Sequence, residues 1–544
     1  MAQPPKLFVR NATGLVREFG AVDSLLIASC MVFALVYTTT QFPWFYGNTG
    51  GANMTVSLLI AAIPFAFLMI AYWAIGLVMP RTGSDYVWVS RVFAPSIGFA
   101  WALLYMFVVF FVAFVGETAS YSYAVSTVFT TSGILGKSAS MSSLGTFLGG
   151  TTGTFELAVV IIIIFGLFAM FGTRYVKGVI YASWLAAIVG MILMWYILST
   201  ANPTSFASNW NAFLANNPVA GLSANATYSA LYQSAVSAGA PTTANGSIGA
   251  AVAALPLASL FLFGGNYISG FSGEIKNVKR SIPLALFLSL ILGIAYWGIS
   301  STLTLNAIGL NWITAVGWHW DTSPGTYGLP YAPTQPLMLA VIAYKNPTLV
   351  YAMFFTYLVG SLAPLFAYFW IPTRYFFSFS FDRAIPSRFS DISKRFNTPY
   401  FAIGVIVALG IILSYFYNFT GWSSSFTVGS VVWGVAYVIP GLALMVFPFV
   451  KKDLFAQAPG FVKSKIGGLP LMTLIGLITA VSFAYIGYIA YQDPAVTSTA
   501  NNAFAFELLG SVVVIGLVVY FASKYYYKSR GVDISLAFKE IPPE

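Results

Sequence analysis

The sequence predicts an all-α polytopic membrane protein of twelve transmembrane helices, and three observations carry that reading. First, 58% of the 544 residues are hydrophobic and 7% are charged, where a soluble domain carries about 25% charged side chains. Second, apolar runs of about 20 residues, enough to cross roughly 30 Å of hydrocarbon, recur along the whole chain. Third, the formal charge of +10 is a topology signal when mapped, and no nucleic-acid partner is expected. With both termini cytoplasmic, only Lys137 and Lys345 of the 25 Lys and Arg fall outside, as the positive-inside rule requires.

The spans predicted from hydropathy are 21–44, 55–79, 97–126, 154–172, 175–199, 251–274, 282–304, 348–373, 400–418, 427–450, 468–491 and 505–527. Residues 1–20 are polar and basic without an apolar core, so no cleavable signal peptide is expected and the segment is read as cytoplasmic. Span 2 ends at Pro80 and Gly83, after which a polar, aromatic-bearing piece with Arg81 and Arg91 leads to Pro95. Span 8 ends likewise in a stretch holding Arg374, Arg383, Arg388, Lys394 and Arg395. On charge alone both are basic loops that set orientation. The outer segments differ in character: 200–250 is rich in Ser, Thr, Asn, Ala and Gly without one charge, and 305–347 is aromatic and proline-bearing. Each is too long for a tight loop and is expected to form a small cap or stay partly disordered. Sequons at Asn53, Asn225, Asn245 and Asn418 face outward in this topology and are the expected glycosylation sites, while Asn11 faces inward. The tail 528–544 is cytoplasmic.

The chain is organised around Phe261 to Pro283, where an apolar run meets Gly264-Gly265, then Glu274, Lys276, Lys279 and Arg280. Adjacent glycines are poor helix formers. At membrane depth a broken helix must line a cavity or be buried in protein, and it then exposes backbone groups to a small ligand. The alternatives are a close-packing glycine pair in an unbroken helix, or a turn.

Three stretches together resemble the amino acid–polyamine–organocation superfamily, in its prokaryotic amino-acid permease branch. They are Pro80-Arg81-Thr82-Gly83-Ser84-Asp85-Tyr86 with Arg91, Pro95, Gly98 and Phe99; Phe263-Gly264-Gly265 with Glu274, Lys276-Asn277 and Pro283; and Arg374 with Phe381-Asp382-Arg383-Ala384-Ile385-Pro386 and Thr398-Pro399. The resemblance covers residues 15–450 and is thin in spans 11 and 12. It implies two five-helix repeats of opposite topology, 21–199 and 251–450, followed by two peripheral helices over 451–527. It further implies that spans 1 and 6 are broken near the membrane middle, with substrate between the breaks. The first break then falls at 33–40, and the resemblance points to Val36, Tyr37, Thr38 and Thr39 there, with Phe263, Gly264, Gly265 and Asn266 in the second. The family's Gly-Ser/Ala-Gly run is replaced here by Ala34-Leu35-Val36, a bulkier lining. The threonines of the first break also fit an outer helix segment whose hydroxyls bond back to the preceding turn.

Candidate gate and ion residues each carry two readings. Glu117 shares a helix face with Val109 and Ala113. It is either a proton site or ammonium partner, or an interfacial carboxylate about 30 Å along span 3. Trp433 in span 10 is a gate or simply a packed aromatic. Ser361 is a possible cation site, or a serine bonded to its own helix. Lys177 lies too near the start of span 5 to act midway along it, and Glu274 with Lys276 reads as a charge network at the inner end of span 6. One cysteine, Cys30, and one histidine, His319, exclude a disulfide and argue against a metal centre. No phosphate-binding loop and no paired carboxylates mark an enzyme. The expected function is a plasma-membrane secondary permease moving an amino acid or related organic cation. No cofactor is expected, and the coupling ion stays open between proton, sodium and none. The rivals are a channel, a non-transporting sensor or structural membrane protein, and a same-fold carrier of a nucleobase or polyamine.

Overall fold

The structure, a computed structural model, describes residues 17–32, 37–216, 226–323, 326, 333–493 and 502–539. Among these, ten helices are long and apolar enough to cross a membrane. The two predicted spans missing from those ten are the first, in which residues 33–36 lie outside the described residues, and the sixth, which is divided. Span 1 is described as Ala21–Val32 and Tyr37–Asn48. Span 6 comprises Ile248–Ala253, Leu255–Leu260 and a 3-10 segment, Gly265–Glu274. The others are span 2, Met54–Val78; span 4, Thr151–Met170; span 5, Thr173–Ser199; span 7, Val278–Ile308; and span 9, Tyr400–Phe419. Span 8 runs as Pro347–Gly360 and Leu362–Phe381 and span 10 as Ser424–Ala436 and Val438–Val450, each with a one-residue junction. Leu471–Gln492 and Asn502–Ser529 form spans 11 and 12.

Span 3 departs most from expectation. Instead of ending at 126, it continues through Pro95–Phe107, a π-helical turn at Val108–Val115 and Gly116–Leu135. Its outer third is rich in Ser and Thr, which hydropathy reads as the end of a span. Those small residues instead let the helix Ala139–Gly149 pack back on it: a Cβ on Gly145 would stand 2.6 Å from the Thr130 amide.

Packing pairs recur when the two sets of five spans are exchanged. Span 1 lies on spans 7 and 5, and span 6 on spans 2 and 10; span 5 lies on span 8, and span 10 on span 3. Spans 2 and 7, 3 and 8, and 4 and 9 pair with each other. Five is odd, so the second set starts from the opposite side of the membrane, which makes the repeat an inverted one. Spans 11 and 12 flank spans 2, 3 and 10 from outside.

At the end of the bundle away from most Lys and Arg, four helices build an ordered cap: Pro203–Asn216, Tyr228–Ser237, Leu310–Thr322 and Gln335–Ala343. Tyr228 stacks on Trp312 at 5.1 Å, and Trp210 Nε1 donates to the Ala226 carbonyl at 2.9 Å. Leu310–Thr322 lies directly on Tyr37–Asn48, where a Cβ on Gly317 would stand 2.6 Å from the Pro43 carbonyl oxygen. Only glycine permits that approach.

Candidate functional site

The second break is built by its glycines. Gly264 has φ of 108°, a left-handed conformation that side chains disfavour. A Cβ on Gly265 would stand 2.6 Å from Ser289 Oγ of span 7. One glycine turns the chain and the other admits the neighbour, so the helix is broken here and the alternative of a glycine pair in an unbroken helix does not hold. The helix gives way to a turn at Phe261–Gly264 and resumes as a 3-10 segment, in which the Tyr267 amide reaches back to the Gly264 carbonyl at 3.0 Å.

The described parts of span 1 flank it. Val32 is the last described residue before the expected first break, and its carbonyl accepts from Trp297 Nε1 of span 7 at 2.9 Å. The Trp297 ring sits 4.5 Å from Phe261, whose ring is also 6.3 Å from Phe45 in the second half-helix. Trp297 thus joins the interruption of span 6 to the described end of Ala21–Val32, and nothing local in the sequence singles it out. Val36, with residues 33–35, lies outside the described residues. Tyr37, Thr38 and Thr39 form the first turn of Tyr37–Asn48, and their side chains also lie outside the description.

Beyond Gly264 the wall is aromatic with one amide. Phe263 packs on Trp433 at 4.9 Å, stacks on Tyr437 at 5.7 Å and meets Phe65 at 5.2 Å. Trp433 is therefore in contact with a predicted site residue, and it is buried. Tyr437 donates its hydroxyl to Asn266 Oδ1 at 3.1 Å, Asn266 Nδ2 donates to Tyr105 at 3.5 Å, and the two tyrosine hydroxyls lie 3.3 Å apart. A surface of rings with a few converging polar groups is the usual composition of a small-molecule site. Tyr105 and Tyr437 were not among the predicted site residues.

Toward the Lys/Arg-rich end the site is sealed by buried charge. Arg374 grips Glu274 through Nε and Nη2, both at 2.8 Å, and its guanidinium lies 4.4 Å from the Trp370 ring. Arg91 grips Asp382 through Nη1 at 2.6 Å and Nη2 at 2.7 Å, with the Phe538 ring of the C-terminal segment 4.8 Å away. All four charged groups are buried, so the two stretches are not loops that serve orientation only. Glu274 also finds a partner other than the expected one. Ile275 enters a parallel bridge with Phe19, in which the Phe19 amide donates to the Glu274 carbonyl and the Lys276 amide to Phe19, so the chain carries Lys276 out to the surface.

Between these pairs stands Asp85, at the start of the short helix Ser84–Val92. Gly83 and Ser84 both have positive φ, and a Cβ on Gly83 would lie 2.6 Å from that of Ser378. This tight turn drives Asp85 into the interior. Its carboxylate accepts from Tyr72 of span 2 at 2.7 Å, from Tyr375 of span 8, and from the Tyr86 amide at 3.0 Å. Burial pushes its carboxyl up to about 6, with the bonds from Tyr375 and Tyr72 pulling the other way.

Glu117 is buried against protein on the lengthened span 3, 22 residues beyond Pro95. Ser361 is buried at the junction of span 8, and its hydroxyl donates to Tyr357 of its own helix at 2.8 Å. Ser183 of span 5 closes that junction, donating to the Val359 and Gly360 carbonyls and accepting from the Ala363 amide. Asn53 caps span 2 through the Val56 amide and is exposed, as is Asn245; Asn225 lies outside the described residues. Asn418 directs its side-chain nitrogen, the atom a glycan would occupy, to the Ser414 carbonyl at 2.8 Å.

The amino acid permease family profile matches residues 24–518. No curated protein sequence is significantly similar to the chain. Among solved structures, that of MhsT in complex with L-phenylalanine superposes with a TM-score of 0.52 at 15% identity, covering 86% of this chain and 97% of that one.

Proposed function

The chain belongs to the amino acid permease family, and on that premise we propose that it is a secondary active permease. It moves an amino acid or a related organic cation across the plasma membrane by alternating access, with the Lys/Arg-rich end and both termini on the cytoplasmic side. The observation that carries this reading is the interruption of span 6 at Phe261–Gly264, where Trp297 meets both the Phe261 ring and the Val32 carbonyl of span 1, beside a wall of Phe263, Trp433, Tyr437 and Asn266. Half-helix ends at that depth offer partial charges of both signs to a zwitterion. The rings receive an apolar side chain, and Asn266 a polar group. The buried charge pairs at the basic end and the cap against Tyr37–Asn48 support a closure at each end of the bundle, as such a cycle requires.

The test is counterflow in proteoliposomes holding the purified chain. Labelled L-phenylalanine, L-leucine, L-arginine and putrescine serve as probes. Transient accumulation of at least one probe against its own unlabelled pool is expected, and a channel or a non-transporting binder gives none. Absence of counterflow for all four overturns the reading.

A further inference from the structure

Taking the carrier function proposed above as given, we propose that Asp85 binds the coupling proton, and that the tyrosines gripping it transmit its state to the substrate site. Among the described residues three carboxylates are buried at this end of the bundle, and two of them, Glu274 and Asp382, are each held by two nitrogens of an arginine fork. Asp85 is different. It is 1% exposed, no Lys, Arg or His stands within ion-pair distance of it among the described residues, and its three donors are all neutral. A buried carboxylate without a countercharge is costly to ionise, and inside a membrane protein such a group marks a proton pathway. Its raised proton affinity, set by burial, places its titration near neutral pH.

The surroundings give the proton something to do. Ionised, Asp85 ties the helix Ser84–Val92 to span 2 through Tyr72 and to span 8 through Tyr375. Those tyrosines touch the substrate wall: the Tyr72 ring lies 6.4 Å from Tyr437 and the Tyr375 ring 6.3 Å from Tyr105, and Tyr437 and Tyr105 both bond Asn266. Span 6 adds Tyr267, which faces Tyr105, while its Gly270 carbonyl accepts from the Gly83 amide. The charged neighbours, Arg91 with Asp382 and Arg374 with Glu274, neutralise each other.

A proton taken from outer water through the open site converts one carboxylate oxygen from acceptor to donor. The tyrosine hydroxyl that donated there must rotate its proton away and accept instead, and a charge-assisted tether of the inner seal becomes a weaker neutral one. When the seal parts, the same proton leaves to cytoplasmic water and the carboxylate is restored. Because coupling is reciprocal, a substrate that rearranges Asn266, Tyr105 and Tyr437 alters the proton affinity of Asp85 in turn.

The experiment uses the full chain in proteoliposomes with whichever probe shows counterflow, and an internal pH dye. With the outside one pH unit more acidic, one proton per substrate supports about tenfold accumulation, and addition of the probe acidifies the lumen. Asp85→Asn, which keeps two polar atoms at the site, is expected to retain counterflow while accumulating nothing beyond equilibration and giving no acidification. Asp85→Glu is expected to restore both. Wild-type counterflow without probe-dependent acidification overturns the proposal, as does Asp85→Asn accumulating like wild type. Loss of counterflow in the wild type strikes the carrier reading itself, so the two failures are distinct. Should Asp85→Asn lose counterflow as well, the dye signal of the unmodified protein still decides.

Discussion

The two ends of the bundle close the same site by opposite means. At the Lys/Arg-rich end the closure is polar and buried: two forked arginine–carboxylate pairs, a backbone bridge at Phe19 and Ile275, and Asp85 held by hydroxyls. At the far end it is made of ring stacking, the glycine contact of Gly317 with Pro43, and an exposed Asn48–Asp321 hydrogen bond. Buried charge pairs are costly to leave half-made, so the first closure has two discrete states and needs a trigger. Apolar and glycine contacts separate gradually and cost little when water replaces them at the rim. The difference teaches where control lies: the far end can follow, and the basic end must be released.

The largest effect that would break this comparison comes from removing one member of a fork. Arg374→Ala leaves Glu274 buried and unpaired, a loss of about 3–5 kcal/mol. A large fall in melting temperature of the detergent-solubilised protein is expected, and Arg374→Lys should not rescue it, since a single ammonium cannot reproduce the two-point grip on a carboxylate. Unchanged melting would show that the inner pairs are no stronger than the rim.

Next in size is Gly264→Leu. The φ of 108° disfavours any side chain, at about 1–3 kcal/mol for such a conformation, and the bulk falls into the site. Uptake is expected to vanish while the protein remains monodisperse after extraction. Retained uptake would remove the second break from the cycle.

How much of this was legible beforehand follows the same divide. Hydropathy located the ten helices that are long and apolar enough to cross a membrane among the described residues, because each is a local property of about 20 residues. Gly264-Gly265 announced the second break for the same reason. The arginine forks were legible only as residues, not as pairs, since Glu274 and Arg374 are 100 positions apart and no local period links them. Trp297 bonding the Val32 carbonyl, and Tyr105 with Tyr437 around Asn266, are contacts of the same long-range kind. The Ser/Thr-rich end of span 3 looked like its exit, so its continuation to Leu135 was not legible. Asp85 stood in a quoted motif, yet only the turn at Gly83 and Ser84 reveals that it points inward.

Asp85 sharpens the comparison through pH. Its folded value of about 6 lies above the ordinary 3.8, so the folded state binds the proton more tightly than the unfolded chain. The stability this contributes is fully present below about 3.8 and is lost as pH rises through about 6. Between pH 7 and 5 the melting temperature of the wild type should therefore rise relative to that of Asp85→Asn, which lacks the titrating group. Parallel curves for the two proteins would place Asp85 among groups that stay ionised throughout.

The smallest effect belongs to the far rim. Asn48 donates to Asp321 at 3.1 Å, but both sit where water reaches the bond. Such a contact exchanges one hydrogen bond for another on breaking, and exposed polar pairs are worth about 0–1 kcal/mol. Asn48→Ala is therefore expected to leave the melting temperature nearly unchanged. Neither residue belongs to the inner seal, so the pH dependence set by Asp85 should also stay intact. If Asn48→Ala instead cost as much as Arg374→Ala, the far end would be held by directional polar contacts as well. Control could then not be assigned to the basic end.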